Sequence, residues 1–315
     1  MIILRRLPRA PSRRALVATV GVFDGVHRAH QQILRATVRR ARLLRARSCA
    51  VTFDPHPQQV LHPERRLRLL MTLEQRLQWI ARCGVASIIV LPFTRAFAKS
   101  SPEQFVTDVL VRRLGVRELI VGEEFAFGHD RRGNMRLLRR LARPLRVAVH
   151  AVRPVRSGNA VVSSSRIRAA IESGSLPLAA RLLGHPVTLT GAVVPGSALG
   201  RRLRVPTANL RAEGLVIPRR GVYAVRVRVH RRWYDGVMNI GTRPTVNHGL
   251  PPTIEVHLLR YHGTLYGERP EVWVVARLRD ERRFASLEHL RCQLGQDIER
   301  ARARLHSEQL LPQSS

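Results

Sequence analysis

The chain has 315 residues and a mass of 35.7 kDa, with 55 Lys+Arg against 22 Asp+Glu, a formal net charge of +33 and a pI near 11.9. A hydrophobic share of 44% and a charged share of 24% belong to a globular chain and exclude a disordered one. The charge invites a nucleic-acid partner, yet Lys99 is the only lysine, whereas selection for phosphate contacts would draw on both basic residue types.

The length permits two domains, each able to bury a core. At the N-terminus, MIILRRLPRAPSRRALVATV is basic, but its apolar stretches are too short for a signal-peptide core. No run approaches the roughly eighteen apolar residues of a membrane span. ALVATVGVF (15–23) reads as a strand stopping at Asp24-Gly25, and a helical stretch follows to about residue 46. SCAVTFD (48–54) is the next strand, ended by Pro55-His56-Pro57. A helix from about Leu73 to Arg82 leads to the strand ASIIVLPF (86–93). Ser101-Pro102-Glu103 opens a further helix with Pro in its first turn. VRELIVG (116–122) and LRVAVHAV (145–152) complete a set of strands separated by helices, the pattern of βαβ units and a parallel sheet.

The character changes near Gly184-His185-Pro186. VTLTGAVV, GVYAVRVRV, RRWYDGVMNI, PTIEVHLL and EVWVVARL follow as β-rich runs, and VYAVRVRV alternates apolar and charged residues as a half-buried strand does. Residues 286–306 read as a closing helix. The expected fold is therefore α/β plus β. A Rossmann-like domain with a parallel sheet spans 1–184, and a small antiparallel β-barrel with a closing helix spans 185–315. Cys49, Cys83 and Cys292 are odd in number and form no CxxC pair, which disfavours disulfides and zinc and suits a reducing cytoplasm.

Gly21-Val22-Phe23-Asp24-Gly25-Val26-His27-Arg28-Ala29-His30 sits at the carboxyl end of the first long strand and opens a helix, where open α/β sheets bind ligands. Glycines there allow close backbone approach, and a helix N-terminus favours anions. His27 and His30 share one face of the first turn and can donate to charge developing on a phosphate. In isolation the same residues would also fit an ordinary strand–turn–helix junction. A metal site is disfavoured because no third soft ligand lies nearby.

This segment resembles the GxFDGxHxGH segment of the nucleotidyltransferases, in particular that of the bacterial bifunctional riboflavin kinase/FMN adenylyltransferase (FAD synthetase) family. Three more segments match in order: Thr52-Phe53-Asp54-Pro55-His56-Pro57, Val121 to Asn134 with FAFG and RRGN, and Ser163-Ser164-Ser165-Arg166-Ile167-Arg168. The resemblance implies that His27 and His30 contact the ATP phosphates within a binding set of Gly21, Phe23, Asp24 and Gly25. It implies that Ser164, Ser165 and Arg166 hold the triphosphate, a task suited to hydroxyls and a bidentate guanidinium. Phe53, Asp54, Phe125 and Phe127, with Gly128 and Arg131, would lie around the flavin and nucleotide. Ala29, Glu124 and Ala126 depart from the family's Gly, Asp and Arg.

In the second half, Gly191 to Gly196 and Gly200-Arg201 resemble the family's glycine-rich loop, and Pro206-Thr207-Ala208-Asn209 its PTAN motif. No Walker-type loop is present. Thr207 and Asn209 offer hard oxygen ligands on one side of an extended segment, which suits Mg²⁺. GVMNIGTRPT (236–245), with Asn239 and Arg243, matches GVxNIGxRPT, and RDERRF (279–284), with Arg279, matches RDExxF. Glu255, in IEVHLL, could face solvent as a lone strand carboxylate; by resemblance it is the general base for the riboflavin 5′-hydroxyl. Arg204-Val205 and Arg260 depart from the pattern.

The implied activity is phosphorylation of riboflavin to FMN and adenylylation of FMN to FAD, with ATP as co-substrate and Mg²⁺ as cofactor. Expected partners are small-molecule substrates, with no specific nucleic acid and no membrane, and homo-oligomerisation is left open. Two alternatives stand beside this reading. One is a riboflavin kinase with a weakened or inactive adenylyltransferase domain. The other is a basic nucleic-acid-binding protein, against which speak an aromatic share of only 5% and the lack of interleaved aromatic and basic segments.

Overall fold

The alternating apolar and helical stretches of the first half form a parallel sheet in this protein, whose structure is a computed structural model describing residues 1–8, 11, 14–196, 205–241 and 252–307. Internal contacts divide the chain into two compact units, Met1–Ser164 and Ser165–Ser315. In the first, strands β1 (Ile2–Leu4), β2 (Leu16–Val20), β3 (Arg47–Asp54), β4 (Ser87–Pro92), β5 (Val116–Gly122) and β6 (Ala148–Val152) lie in the order β1-β4-β3-β2-β5-β6. Every pairing is parallel. Helices α1 (Arg28–Leu43), α2 (Pro57–Leu61), α3 (Leu73–Arg82), α4 (Arg95–Ala98), α5 (Pro102–Gln104) and α6 (Met135–Ala142) occupy the connections.

Both faces of this sheet are covered, so its central strands read as unbroken apolar runs rather than alternating ones. Cys49, Val51 and Phe53 of β3 pack on one face with Phe105, Val109 and Leu138; Ala50, from the other face, packs with Leu34, Val38, Leu77 and Ile80. The chain proceeds outward from β2 first through β3 and β4 and then, on the other side, through β5 and β6. The strand order therefore reverses at β2, and the carboxyl end of β2 is the crevice where such sheets bind ligands. Glu118 of β5 anchors α1 through a bidentate pair with Arg40, at 2.6 and 2.8 Å, and also meets His150 of β6 at 2.9 Å.

The helix expected from Ser101 onward takes another form. Ser101 caps α5 reciprocally with Gln104, but Phe105–Arg113 is a π-helix. Its buried residues, Phe105, Val106, Val109, Leu110 and then Leu114, recur every four to five positions. That spacing fits the wider i→i+5 turn better than the α-helical one.

A short hairpin, β7 (Arg156–Ser157) and β8 (Ala160–Val161), precedes α7 (Ser164–Glu172) and α8 (Leu176–Leu183). Strands β9 (Val187–Thr190), β10 (Ala192–Val194), β11 (Ala208–Arg211), β12 (Gly221–Val229), β13 (Arg232–Gly241), β14 (Thr253–Leu258) and β15 (Glu271–Arg279) form an antiparallel sheet ordered β10-β11-β14-β13-β12-β15-β9. The first and last strands in that order are joined by Gly191 alone, so the sheet must curl until its edges meet. A Cβ at Gly191 would run into the Arg211 carbonyl, which is why the corner needs glycine. The closing helix α9 (Leu287–Ser307) packs Ala301 and Leu305 against Val222, Ala224, Val237 and Ala276.

Candidate functional site

The backbone after β2 turns sharply. Gly21 still donates to the Val51 carbonyl at 3.0 Å, but Phe23, Gly25 and Val26 then take φ of 55°, 84° and 36°. Left-handed backbone at two bulky residues is strained and persists only where neighbours enforce it. Enforcement is visible on each side. The Phe23 ring is buried against Gly21, where an added Cβ would come within 2.9 Å of it. Asp24 is 3% exposed, and its carboxylate accepts the Leu70 N–H at 3.0 and 3.2 Å. The Asp24 carbonyl accepts the Ser164 hydroxyl at 2.9 Å.

This turn delivers His27 and His30 at the start of α1. Their rings stack at 3.6 Å between centroids, and the Phe23 ring meets His30 edge-on at 5.3 Å. Burial first, then the neighbouring His27 and Arg76, hold the His30 pKa well below the usual histidine value, so the ring is neutral at neutral pH. The first turn of α1 has no acidic residue, and His27 makes no side-chain cap there, which leaves the positive end of the helix facing the turn. Ala29 occupies the second position of this helix.

Of the eight phenylalanines, six form one aromatic run in the first unit. Phe53 touches Phe93 and Phe97, Phe97 touches Phe105, Phe105 touches Phe127, and Phe127 stacks on Phe125 at 5.3 Å. Phe53, Phe125 and Phe127 are thus brought together, joined by Phe93, Phe97 and Phe105, to which the sequence reading assigns no role. Gly128 has φ 72°, and a Cβ there would press on Pro102 at 2.7 Å. Phe127 and Gly133 exchange both backbone hydrogen bonds across the loop, leaving Arg131 exposed at φ 57°. Asp54 is half exposed, and Arg76 approaches it at 3.8 Å. Glu124 is exposed and Ala126 half-buried. Ser165 and Arg166, in the second unit, follow Ser164 on the first turn of α7, Ser165 exposed and Arg166 half-buried.

Arg76 is the functional candidate that the sequence reading missed. It is 4% exposed, and its guanidinium donates to the Val22 and Phe53 carbonyls, both at 2.9 Å. A signal existed: Arg76 lies three residues after Leu73 and four before Ile80, on the stripe of α3 that faces the core.

The second site lies on three adjacent strands of the second unit. In register, Glu255 of β14 stands between Asn209 of β11 and Asn239 of β13. Ile254, Val256 and Leu258 fill the barrel interior, so Thr253, Glu255 and His257 share the other face, half-buried rather than open to solvent. His257, also missed, meets the Pro206 carbonyl at 2.8 Å and so ties the PTAN segment to β14. A Cβ at Gly196 would collide with the Asn209 amide, which fits a close approach of that loop to the row. Arg279 is bound by Asp297 of α9 at 2.7 to 3.1 Å and lies 5.7 Å over Phe284. Gly200, Arg201, Arg204 and Arg243 lie outside the described residues. Among the described residues no three His, Cys, Asp or Glu side chains form a metal cluster. Asn209 stands opposite Glu255 in register, and Thr207, half-buried, lies two residues before it; hydroxyl, amide and carboxylate oxygens are hard ligands of the kind that Mg²⁺ takes.

Comparison with known proteins agrees with this two-site layout. Residues 9–166 match the FAD synthetase family and residues 183–305 the riboflavin kinase family. The bifunctional riboflavin kinase/FMN adenylyltransferase of Pseudomonas fluorescens is 39% identical over 293 residues, covering 93% of this chain and 94% of its own. That of Escherichia coli K12 is 36% identical over 295 residues, with the same coverage. The chain belongs to the bifunctional riboflavin kinase/FMN adenylyltransferase family. A solved structure described as a macrolide-efflux protein from Streptococcus pneumoniae is 29% identical, with a TM-score of 0.85 over 96% of this chain and 99% of its own. No helix among the described residues is long and apolar enough to cross a membrane.

Proposed function

We infer that this chain catalyses two ATP-dependent transfers, phosphorylating riboflavin to FMN and adenylylating FMN to FAD. Residues 1–184 form the adenylyltransferase and 185–315 the kinase. The observation that carries the reading is the row Asn209–Glu255–Asn239 in a chain that also stacks His27 on His30 at a helix start.

In the kinase, Glu255 accepts the proton of the riboflavin 5′-hydroxyl as that oxygen attacks the γ-phosphorus and ADP departs. Thr207 and Asn209 would hold Mg²⁺, which when bound would neutralise charge on the phosphate oxygens. Asn239, with Gly196, Gly200, Arg201 and Arg243, orients nucleotide and flavin, and Arg279 anchors the margin of the site to α9. In the adenylyltransferase, an FMN phosphate oxygen attacks the α-phosphorus of ATP and pyrophosphate leaves. His27 and His30 donate to the phosphates, helped by the free N–H groups of α1. Gly21, Phe23, Asp24 and Gly25 shape the turn, and Ser164, Ser165 and Arg166 bind the triphosphate. Phe53, Asp54, Phe125, Phe127, Gly128 and Arg131 enclose the flavin and nucleotide. No covalent enzyme intermediate is needed; positioning and charge stabilisation carry both steps. The protein works in the cytoplasm on small-molecule substrates, without a specific nucleic acid.

Incubation with riboflavin, ATP and Mg²⁺, followed by chromatography of the flavins, tests this: FMN and then FAD are expected, and neither would sink it. The second reading, a kinase with an impaired first unit, is favoured by Ala29 and Ala126 and predicts FMN without FAD.

A further inference from the structure

Arg76 is a costly residue for its place. A guanidinium buried to 4% exposure has lost most of its hydration, and the Asp54 carboxylate lies as far as 3.8 Å away. Burial accordingly pushes its pKa down, opposed by Asp24, Asp54 and Glu74. Its Nε is buried without a hydrogen-bond partner. A methionine of similar length would fill the same space without that desolvation, and such replacements are often neutral or stabilising. The value of the group therefore lies in what its two bonded nitrogens hold.

They hold the carboxyl ends of two neighbouring strands. Nη1 donates to the Val22 carbonyl, which also accepts the Thr52 hydroxyl at 3.0 Å, and Nη2 donates to the Phe53 carbonyl. Val22 immediately precedes the left-handed Phe23, so its carbonyl fixes the orientation of the 22–23 peptide on which the whole turn depends. Phe23 in turn packs against His30, and Phe53 begins the aromatic run. One planar fork thus joins the phosphate-facing turn to the wall that faces the flavin. Its fixed positive charge also acts on His30, alongside His27.

We propose that Arg76 is the positioning residue of the adenylyltransferase, clamping the Val22 and Phe53 carbonyls so that the histidine pair and the phenylalanine wall keep the separation that adenylyl transfer requires. The proposal rests on the adenylyltransferase reading and adds to it a residue outside the four resembling segments. A displacement of about 1 Å at such a site costs on the order of 100-fold in rate. A loss of that size, about 100-fold in kcat, is expected for Arg76→Met.

The test follows FMN-to-FAD conversion with saturating ATP in the full chain, for wild type, Arg76→Met and Arg76→Lys. Riboflavin phosphorylation serves as an internal control in each. Arg76→Met should lower kcat about 100-fold while the KM for FMN stays within about threefold. Arg76→Lys restores a cationic donor that can reach one carbonyl well, and should recover about tenfold of that loss. Riboflavin phosphorylation should be unchanged in both. Equal kcat in wild type and Arg76→Met would overturn the proposal. So would a loss in both variants that merely tracks the fraction of molecules folded, measured by near-ultraviolet circular dichroism. A wild-type chain that makes no FAD would instead overturn the adenylyltransferase reading, and the inference with it.

Discussion

At the scale of single residues, the proposed function assigns the two reactions to different side chains, so mutation should separate them. Glu255→Gln keeps the shape of the β14 side chain and removes the base; FMN formation should fall by about 10²- to 10⁴-fold while FMN-to-FAD conversion persists, both read by flavin chromatography. His30→Ala should do the reverse, lowering FAD formation by roughly 10²- to 10³-fold. It should also change the pH dependence of stability. His30 is held well below its usual pKa when folded, so below about pH 6.5 the unfolded chain binds more protons than the folded one. The first unit therefore loses stability as pH falls from about 6.5 toward the depressed folded value, and His30→Ala should flatten that decline in thermal melts. That His27 and His30 open a helix after a strand, and that Glu255 lies within a strand, was legible from glycine, proline and β-branched punctuation, whereas the chemistry assigned to them rests on the family resemblance. Arg76 was not legible, because arginine on a helix reads as a solvated face when dozens of others are. Phe93, Phe97 and Phe105 were hidden for a related reason: the ring contacts that join them arise only in the folded chain and leave no mark in the spacing of the sequence.

At the scale of elements, the agreement is closest where period and punctuation coincide. VRELIVG became β5 with the same limits, and Leu73–Arg82 became α3, capped reciprocally by Thr72 and Gln75. The stretch after Ser101 was read as helical, but its buried positions recur more widely than 3.6, so most of it is π-helix. VTLTGAVV was read as one run, whereas Gly191 breaks it into the two strands that close the barrel. The seam between the barrel and α9 is the element contact with the largest expected effect. Asp297 is fully buried and is satisfied by Arg279 and by Gln293, whose amide donates to it at 2.8 Å. Asp297→Ala leaves the Arg279 guanidinium largely buried and unpaired, and should cost the second unit about 3–5 kcal/mol in denaturant unfolding. Adding Arg279→Met should return part of that loss, since it removes the stranded charge.

At the scale of the whole molecule, the charge of +33 first suggested a polyanion partner. ATP, FMN and pyrophosphate, assigned to the two sites, are anions too, but few of the arginines take part in them, and Arg40, Arg226 and Arg279 are spent on structural anchors to Glu118, the Leu305 carbonyl and Asp297. The order of the domains and the sheet types were legible because a parallel sheet needs helices between its strands and an antiparallel barrel does not. The central claim is that one chain performs both transfers in sequence. It is tested most directly by a time course of purified protein with riboflavin, ATP and Mg²⁺, sampled for all three flavins. The account predicts that riboflavin falls from the start, that FMN rises first, and that FAD follows after a lag as FMN accumulates. A chain that leaves riboflavin unchanged, or that makes FMN but leaves it unconverted, would contradict it.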